Sequence, residues 1–186
     1  DNKYDEFIKK KYGINEKEKT IVLFAHHTEN EVANQFNEVI VNWDNHLSFM
    51  NNTYELLSKY NNIKVIYRFK NINWINLKQF QNIINKIEKR ENMFIDREYS
   101  KNFFSYSLAR FADIVIGPHS SVLDEIIDGG FKNVLLFDYG YKLKSIVEKL
   151  KYKDSEFICK NNNELEKKFN QMLNNDKIFK FINVKN

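Results

Sequence analysis

Short unbroken apolar runs alternate along the chain with longer stretches whose apolar residues recur every three or four positions. The runs are Thr20–Ala25, Ile63–Tyr67, Met93–Ile95, Ala112–Ile116, Asn133–Phe137 and Glu156–Cys159. Continuous apolar character, in place of in–out alternation, predicts strands covered on both faces. Between the runs, helical spacing predicts His46–Lys59, with Leu47, Met50, Tyr54 and Leu57 on one stripe, and Trp74–Lys89, with Leu77, Phe80, Ile84 and Ile87. Further helices are predicted over Asn102–Phe111, Ser121–Asp128, Leu143–Lys151 and Asn163–Leu173, the last with Leu165, Phe169 and Met172 as its apolar face. Tyr4–Lys11 reads as a short helix before the first strand. Alternating strands and helices imply a parallel sheet with right-handed crossovers. The expected architecture is α/β, a Rossmann-like doubly wound parallel sheet of about six strands. Ligands of such sheets bind beyond the carboxyl ends of the strands. That rule selects the loops His26–Glu31, Arg68–Asn73, Gly117–Ser121 and Asp138–Lys142.

The 186 residues fit one domain, 1–186, with 1–19 as a lead-in helix and turn and 161–186 as a C-terminal helix and tail. A 42% hydrophobic and 29% charged composition is that of a globular chain able to bury its own core. The net charge of +4 is spread among glutamates without a basic stripe, so nucleic acid is not an expected partner. A single cysteine, Cys159, rules out an internal disulfide framework and a cysteine-based zinc site. No apolar run approaches the ~20 residues of a membrane span, and the polar segment Asp1–Lys11 does not read as a signal peptide. A cytoplasmic protein is expected, with attachment to the inner membrane face as a further option. The chain begins without Met, as a piece of a longer protein does.

Punctuation concentrates at one place. Three of the five glycines (Gly117, Gly129, Gly130) and the only proline, Pro118, fall in one short segment, Ala112-Asp-Ile-Val-Ile-Gly-Pro-His-Ser-Ser-Val-Leu-Asp-Glu-Ile-Ile-Asp-Gly-Gly130. Pro118 stops the strand. Ser120 or Ser121 caps the next helix, and Ser121 with Asp124 fits the capping-box spacing. Gly129 and Gly130 end the helix. Free N–H groups, the positive end of the helix dipole and two small hydroxyls make a sensible seat for a phosphate. Glu125, one turn inside, is suited to accept hydrogen bonds from ribose hydroxyls. Every strand–loop–helix unit needs a cap, however, and Ser120-Ser121 serves that need without any ligand.

The strand ending in Ala112-Asp113 and three apolar residues, then the loop, then Ser120-Ser121-Val122 with Asp124-Glu125 on a helix, resembles the nucleotide-binding half of GT-B enzymes. The likeness is above all to CDP-glycerol glycerophosphotransferases and capsule or teichoic-acid polymerases; non-hydrolysing UDP-N-acetylglucosamine 2-epimerases share the half-fold. The stretch from Asp5 to Ala25 resembles the lead-in helix, Gly-Ile turn and first strand of that half. The resemblance covers about residues 5–150, and only 112–130 is specific. It implies that Ser120 and Ser121 contact the pyrophosphate of a CDP- or UDP-linked donor, that Asp124 and Glu125 bind ribose, and that His119 lies beside the phosphates. It also implies that His26 and His27 face the donor or acceptor, and that Asp138, Tyr139 and Tyr141 line a base or sugar pocket. The family often carries a His-Pro pair after the second strand; here Arg68-Phe69-Lys70 stands there, and Arg68 is the candidate phosphate contact.

The implied activity is transfer of a sugar or polyol phosphate from a nucleotide donor to a glycan or lipid-linked acceptor in surface-polymer synthesis. No cofactor or metal is required. An N-terminal acceptor domain would be needed as well, and the chain alone is expected to be inactive. The alternatives are an epimerase-like domain and a non-catalytic Rossmann-like interaction module.

The remaining candidates have plainer readings. His26 and His27 are adjacent and match no zinc spacing; with Arg68 they are the catalytic candidates, a loop histidine serving as general base or phosphate donor or else standing as a plain loop residue. Tyr139 and Tyr141 either stack on a base or cover the sheet end. Lys9–Lys11 and Lys142–Lys153 read as solvated helix faces, and Phe103, Phe104 and Phe111 as core. His46 is expected in the first turn of its helix, with no role.

Overall fold

A computed structural model describes residues 2–15, 17–25, 43–69, 73–98, 104–118, 120–130, 133–137 and 156–174. Six strands, β1 (Lys19–Ala25), β2 (Ile63–Phe69), β3 (Met93–Ile95), β4 (Ile114–Gly117), β5 (Val134–Phe137) and β6 (Ile158–Cys159), form one parallel sheet in the order β3-β2-β1-β4-β5-β6. The helices are α1 (Asn2–Tyr12), α2 (Trp43–Leu57), α3 (Gln81–Glu88), α4 (Phe104–Phe111), α5 (Ser121–Asp128) and α6 (Asn162–Leu173). The strand order reverses between β1 and β4, which makes that junction the topological switch point of the sheet.

The central strands are buried on both faces, as their continuous apolar character predicts. Ile21, Val22 and Leu23 of β1, Val115 and Ile116 of β4 and Leu135 of β5 are fully buried. Register between β1 and β4 is fixed at its entrance. Thr20 N–H donates to Asp113 Oδ2 at 2.7 Å, and Asp113 N–H donates to the Thr20 carbonyl at 2.7 Å. The aspartate of the Ala112-Asp113 pair is thus a clamp between strands. Helix α1 ends as its Gly-Ile turn predicts: Gly13 takes a φ of 60°, and Ile14 N–H reaches back to the Lys9 carbonyl at 3.0 Å.

Two predicted elements are corrected. The helix expected over Trp74–Lys89 begins as two short 3-10 turns, Asn73–Asn76 and Lys78–Phe80, separated by Leu77 with an extended ψ of 132°. The cause is aromatic packing. Trp74 and Phe80 are both fully buried against His46, with Trp74 also 4.4 Å from Phe69 between ring centroids. Burial of these large rings outweighs the regular periodicity. His46 does lie in the first turn of α2, but buried within this cluster. Strand β2 also runs two residues further than its apolar run, because Phe24 and Ala25 of β1 pair with Arg68 and Phe69. The helix predicted over Leu143–Lys151 lies outside the described residues.

Cys159 is fully buried in β6, and burial pushes its thiol up to about 12. The native chain is therefore expected to resist a thiol reagent at pH 8 and to react once denatured. Prompt labelling of the folded protein would contradict this placement.

Candidate functional site

The segment from β4 to α5 is built on close backbone approach. A Cβ on Gly117 would press into the carbonyl oxygen of Phe24 in β1 and lie 2.9 Å from Leu123 Cδ1. Only glycine lets β4 finish against β1 with α5 packed over the same point. Ser120 is the N-cap: its backbone is extended, and its Oγ accepts from Leu123 N–H at 3.4 Å. This corrects the expected capping box. With Ser120 as cap, the box position three residues on is Leu123, and Asp124 stands one residue too far along. Gly129 ends the helix in an ordinary helical conformation, and Gly130 takes the left-handed one at φ 87°. Beyond the cap bond to Leu123, the N–H groups of Ser121 and Val122 have no hydrogen-bond partner among the described residues.

These groups open onto a cavity of about 200 Å³ lined by Phe24, Ala25, Arg68, Phe69, Ser105, Ser120, Ser121 and Val122. It sits at the carboxyl ends of β1 and β2 and at the start of α5, where the rule for doubly wound sheets puts a ligand. Its floor is apolar. Among the described residues, its polar rim is three serines and one guanidinium, and no carboxylate lines it. The chemistry is that of a site for an anion: a helix N-terminus, hydroxyls and an arginine.

Arg68 sits on β2 and not in the loop expected there, with only 8% of its surface exposed. One terminal nitrogen, Nη1, donates to Asp96 Oδ2 at 2.7 Å and to the Glu98 carbonyl at 2.5 Å. Its Nε reaches Ser105 Oγ at 3.3 Å, and the guanidinium lies over the Phe104 ring. Nη2 makes no hydrogen bond to the described residues. Asp96, just past β3, is itself buried. Its Oδ1 accepts from Tyr12 Oη at 2.5 Å, from Lys11 Nζ at 3.2 Å and from Glu98 N–H at 3.0 Å. Burial alone would raise the Asp96 carboxyl, but the Tyr12 and Glu98 hydrogen bonds and the charges of Arg68 and Lys11 hold it below its usual value. The Tyr12 hydroxyl is driven strongly upward, first by burial and then by the adjacent carboxylate. Lys11, read above as part of a solvated face, is instead shared between Asp96 and Glu98.

Of the residues singled out from the sequence, the fold brings Arg68, Ser120 and Ser121 to one cavity. Asp124 and Glu125 lie further along α5 and are not in its wall; Glu125 is exposed. His26, His27, His119, Asp138, Tyr139 and Tyr141 lie outside the described residues. Among the described residues no three His, Cys, Asp or Glu side chains converge as a ligand set for a metal, and no helix is long and apolar enough to cross a membrane. Sequence reasoning missed Asp96, Tyr12 and Ser105. Asp96 was within reach: it directly follows a strand, and the carboxyl-end rule applies to β3 as it does to the others.

No family model and no curated protein sequence matches the chain. Solved structures do resemble it. The C-terminal CMP-Kdo binding domain of WaaA from Acinetobacter baumannii aligns over 94% of this chain and 90% of its own, with a TM-score of 0.56 at 8% identity. A protein assigned as a UDP-N-acetylglucosamine 2-epimerase from Listeria monocytogenes aligns over 87% of this chain with a TM-score of 0.53 at 15% identity. The wall teichoic acid polymerase TagF aligns over 95% with a TM-score of 0.51 at 19% identity. This chain spans 38% of the length of each of the latter two. A six-stranded parallel sheet that reverses at β1 and β4, and that superposes on part of these larger proteins and on most of a C-terminal domain, has the fold of the C-terminal, Rossmann-like half of the GT-B enzymes.

Proposed function

We propose that the cavity between β1, β2 and the start of α5 binds the diphosphate of a nucleotide-activated donor. The chain would then be the donor side of a GT-B-like transferase that moves a sugar or polyol phosphate onto a surface polymer. One observation carries this reading: Arg68, Ser120 and Ser121, from distant parts of the sequence, line the same cavity at the switch point, beside the first N–H groups of α5, which bond none of the described residues. Such donors stabilise negative charge on a departing nucleotide without reorganising at the moment of reaction. Glu125 remains the candidate for the ribose, one turn along the same helix. A CDP- or UDP-linked donor suits the site; the likeness to a CMP-Kdo binding domain supports a cytidine donor. The acceptor, a glycan or lipid-linked chain, would be held by a second domain across the cleft, at the inner face of the membrane.

Calorimetric titration with CDP, UDP and GDP tests the reading. Micromolar binding of one nucleotide is expected, weakened by about 100-fold in Ser121→Trp. Ser121 is exposed, so the indole fills the mouth of the cavity and leaves the core intact. No heat with any of the three would overturn the donor reading in favour of an interaction module.

A further inference from the structure

We propose that Asp96 is a positioning residue: it holds Arg68 so that Nη2, which bonds none of the described residues, faces the cavity and meets the donor's phosphates. This rests on the donor-phosphate reading and extends it to a residue outside the cavity wall. An arginine at a strand end has several rotatable bonds and spends them freely unless it is tied. Here one terminal nitrogen is spent on Asp96 Oδ2 and the Glu98 carbonyl, and Nε is turned toward Ser105. The planar, rigid fork then fixes where Nη2 must point.

The carboxylate that does this is completely buried, which is costly unless every lone pair is satisfied. Four hydrogen bonds from four residues meet that need, with Tyr12, Lys11 and Glu98 N–H all on Oδ1 and Arg68 on Oδ2. Lys11 also matters for charge. Asp96 alone would cancel Arg68; with Lys11 sharing the carboxylate, the group regains a net positive charge that a phosphate can use. The offsetting Glu98 carboxylate is about a third exposed and screened by solvent. Helix α1, which supplies Lys11 and Tyr12, is in this way tied to the anion site.

Side-chain nitrogen NMR on the ligand-free protein tests the anchoring directly. Arg68 should give separate, slowly exchanging Nη signals, and these should merge in Asp96→Asn. Averaged signals in the unaltered protein, or signals that Asp96→Asn leaves unchanged, would overturn the proposal. CDP titration of Asp96→Asn, Arg68→Gln and the double variant tests the consequence. Each single change should weaken binding by about 10-fold, and the double variant should bind no more weakly than Arg68→Gln. Full affinity in folded Asp96→Asn, or losses that multiply, would show that Asp96 does not act through Arg68. Tyr12→Phe keeps the ion pair and serves if Asp96→Asn does not fold: it should lower Tm and leave CDP affinity within about twofold. A larger loss would mean the cluster acts only as scaffold. If the unaltered protein binds no nucleotide, the parent reading fails, and the NMR result still decides whether Asp96 fixes Arg68.

Discussion

Gly117→Ala is expected to cost about 3 kcal/mol, the upper end of the usual penalty for overpacking, and to lower Tm by roughly 10 °C for a chain of this length. The added methyl group would collide with the Phe24 carbonyl on one side and Leu123 on the other. The first of these is backbone inside the sheet, which has nowhere to go without breaking the β1–β4 pairing. Relief would come by pushing β4 and the start of α5 away from β1. That is the wall of the cavity, so nucleotide affinity should fall with stability. Gly130→Ala is the control. Gly130 has a positive φ but open space around a would-be Cβ, so only backbone strain of about 1–2 kcal/mol is expected. Thermal melts of the two variants check the ranking. A Gly117→Ala protein that melts within a degree or two of the unaltered chain would show that the close approach is not real.

Asp96→Asn is expected to cost about 3 kcal/mol at neutral pH, because it leaves Arg68 buried without its counter-charge. The cost should depend on pH in a defined direction. The Asp96 carboxyl is held below its ordinary value in the folded chain, so its stabilising contribution is present above about pH 4. It is lost as pH falls through the lowered native value. The groups that face it are Tyr12, Lys11, Arg68 and the Glu98 N–H. The stability gap between the two proteins should therefore be constant from about pH 5 to pH 8 and narrow below pH 4. Denaturant melts across that range measure it. A gap that widens toward acid would mean that the aspartate is protonated in the native state.

The two residues illustrate different degrees of legibility. Gly117 stood out in the sequence through its place beside Pro118 and ahead of the paired serines. Its spacing could show that the chain turns there, but not that β1 lies within a methyl group's width. Asp96 carried only a positional signal, its place directly after a predicted strand, and nothing else set it apart among 25 acidic residues. Its partners come from positions 11, 12 and 68, and a contact across such separations leaves no periodic trace. The same holds for Ser105, which reaches the cavity only because α4 packs against α1, α5 and β1. The misread stretch at Trp74–Lys89 has the reverse cause: its helical periodicity was real, and the burial of Trp74 and Phe80 overrode it.

Local physics, acting through nearest neighbours and the strand and helix repeats, was enough to determine the α/β alternation, the parallel sheet with its buried strands, the α1 turn at Gly13 and the serine cap of α5. Those features depend on a few consecutive residues, and the chain carries them in plain order. Only the tertiary structure decided that Arg68 belongs to the sheet, that Ser120 and not Ser121 is the cap, and that α1 reaches through Tyr12 and Lys11 to a buried carboxylate. Each of these is settled by desolvation and packing between segments dozens of residues apart, where the energy of a group depends on what surrounds it in space.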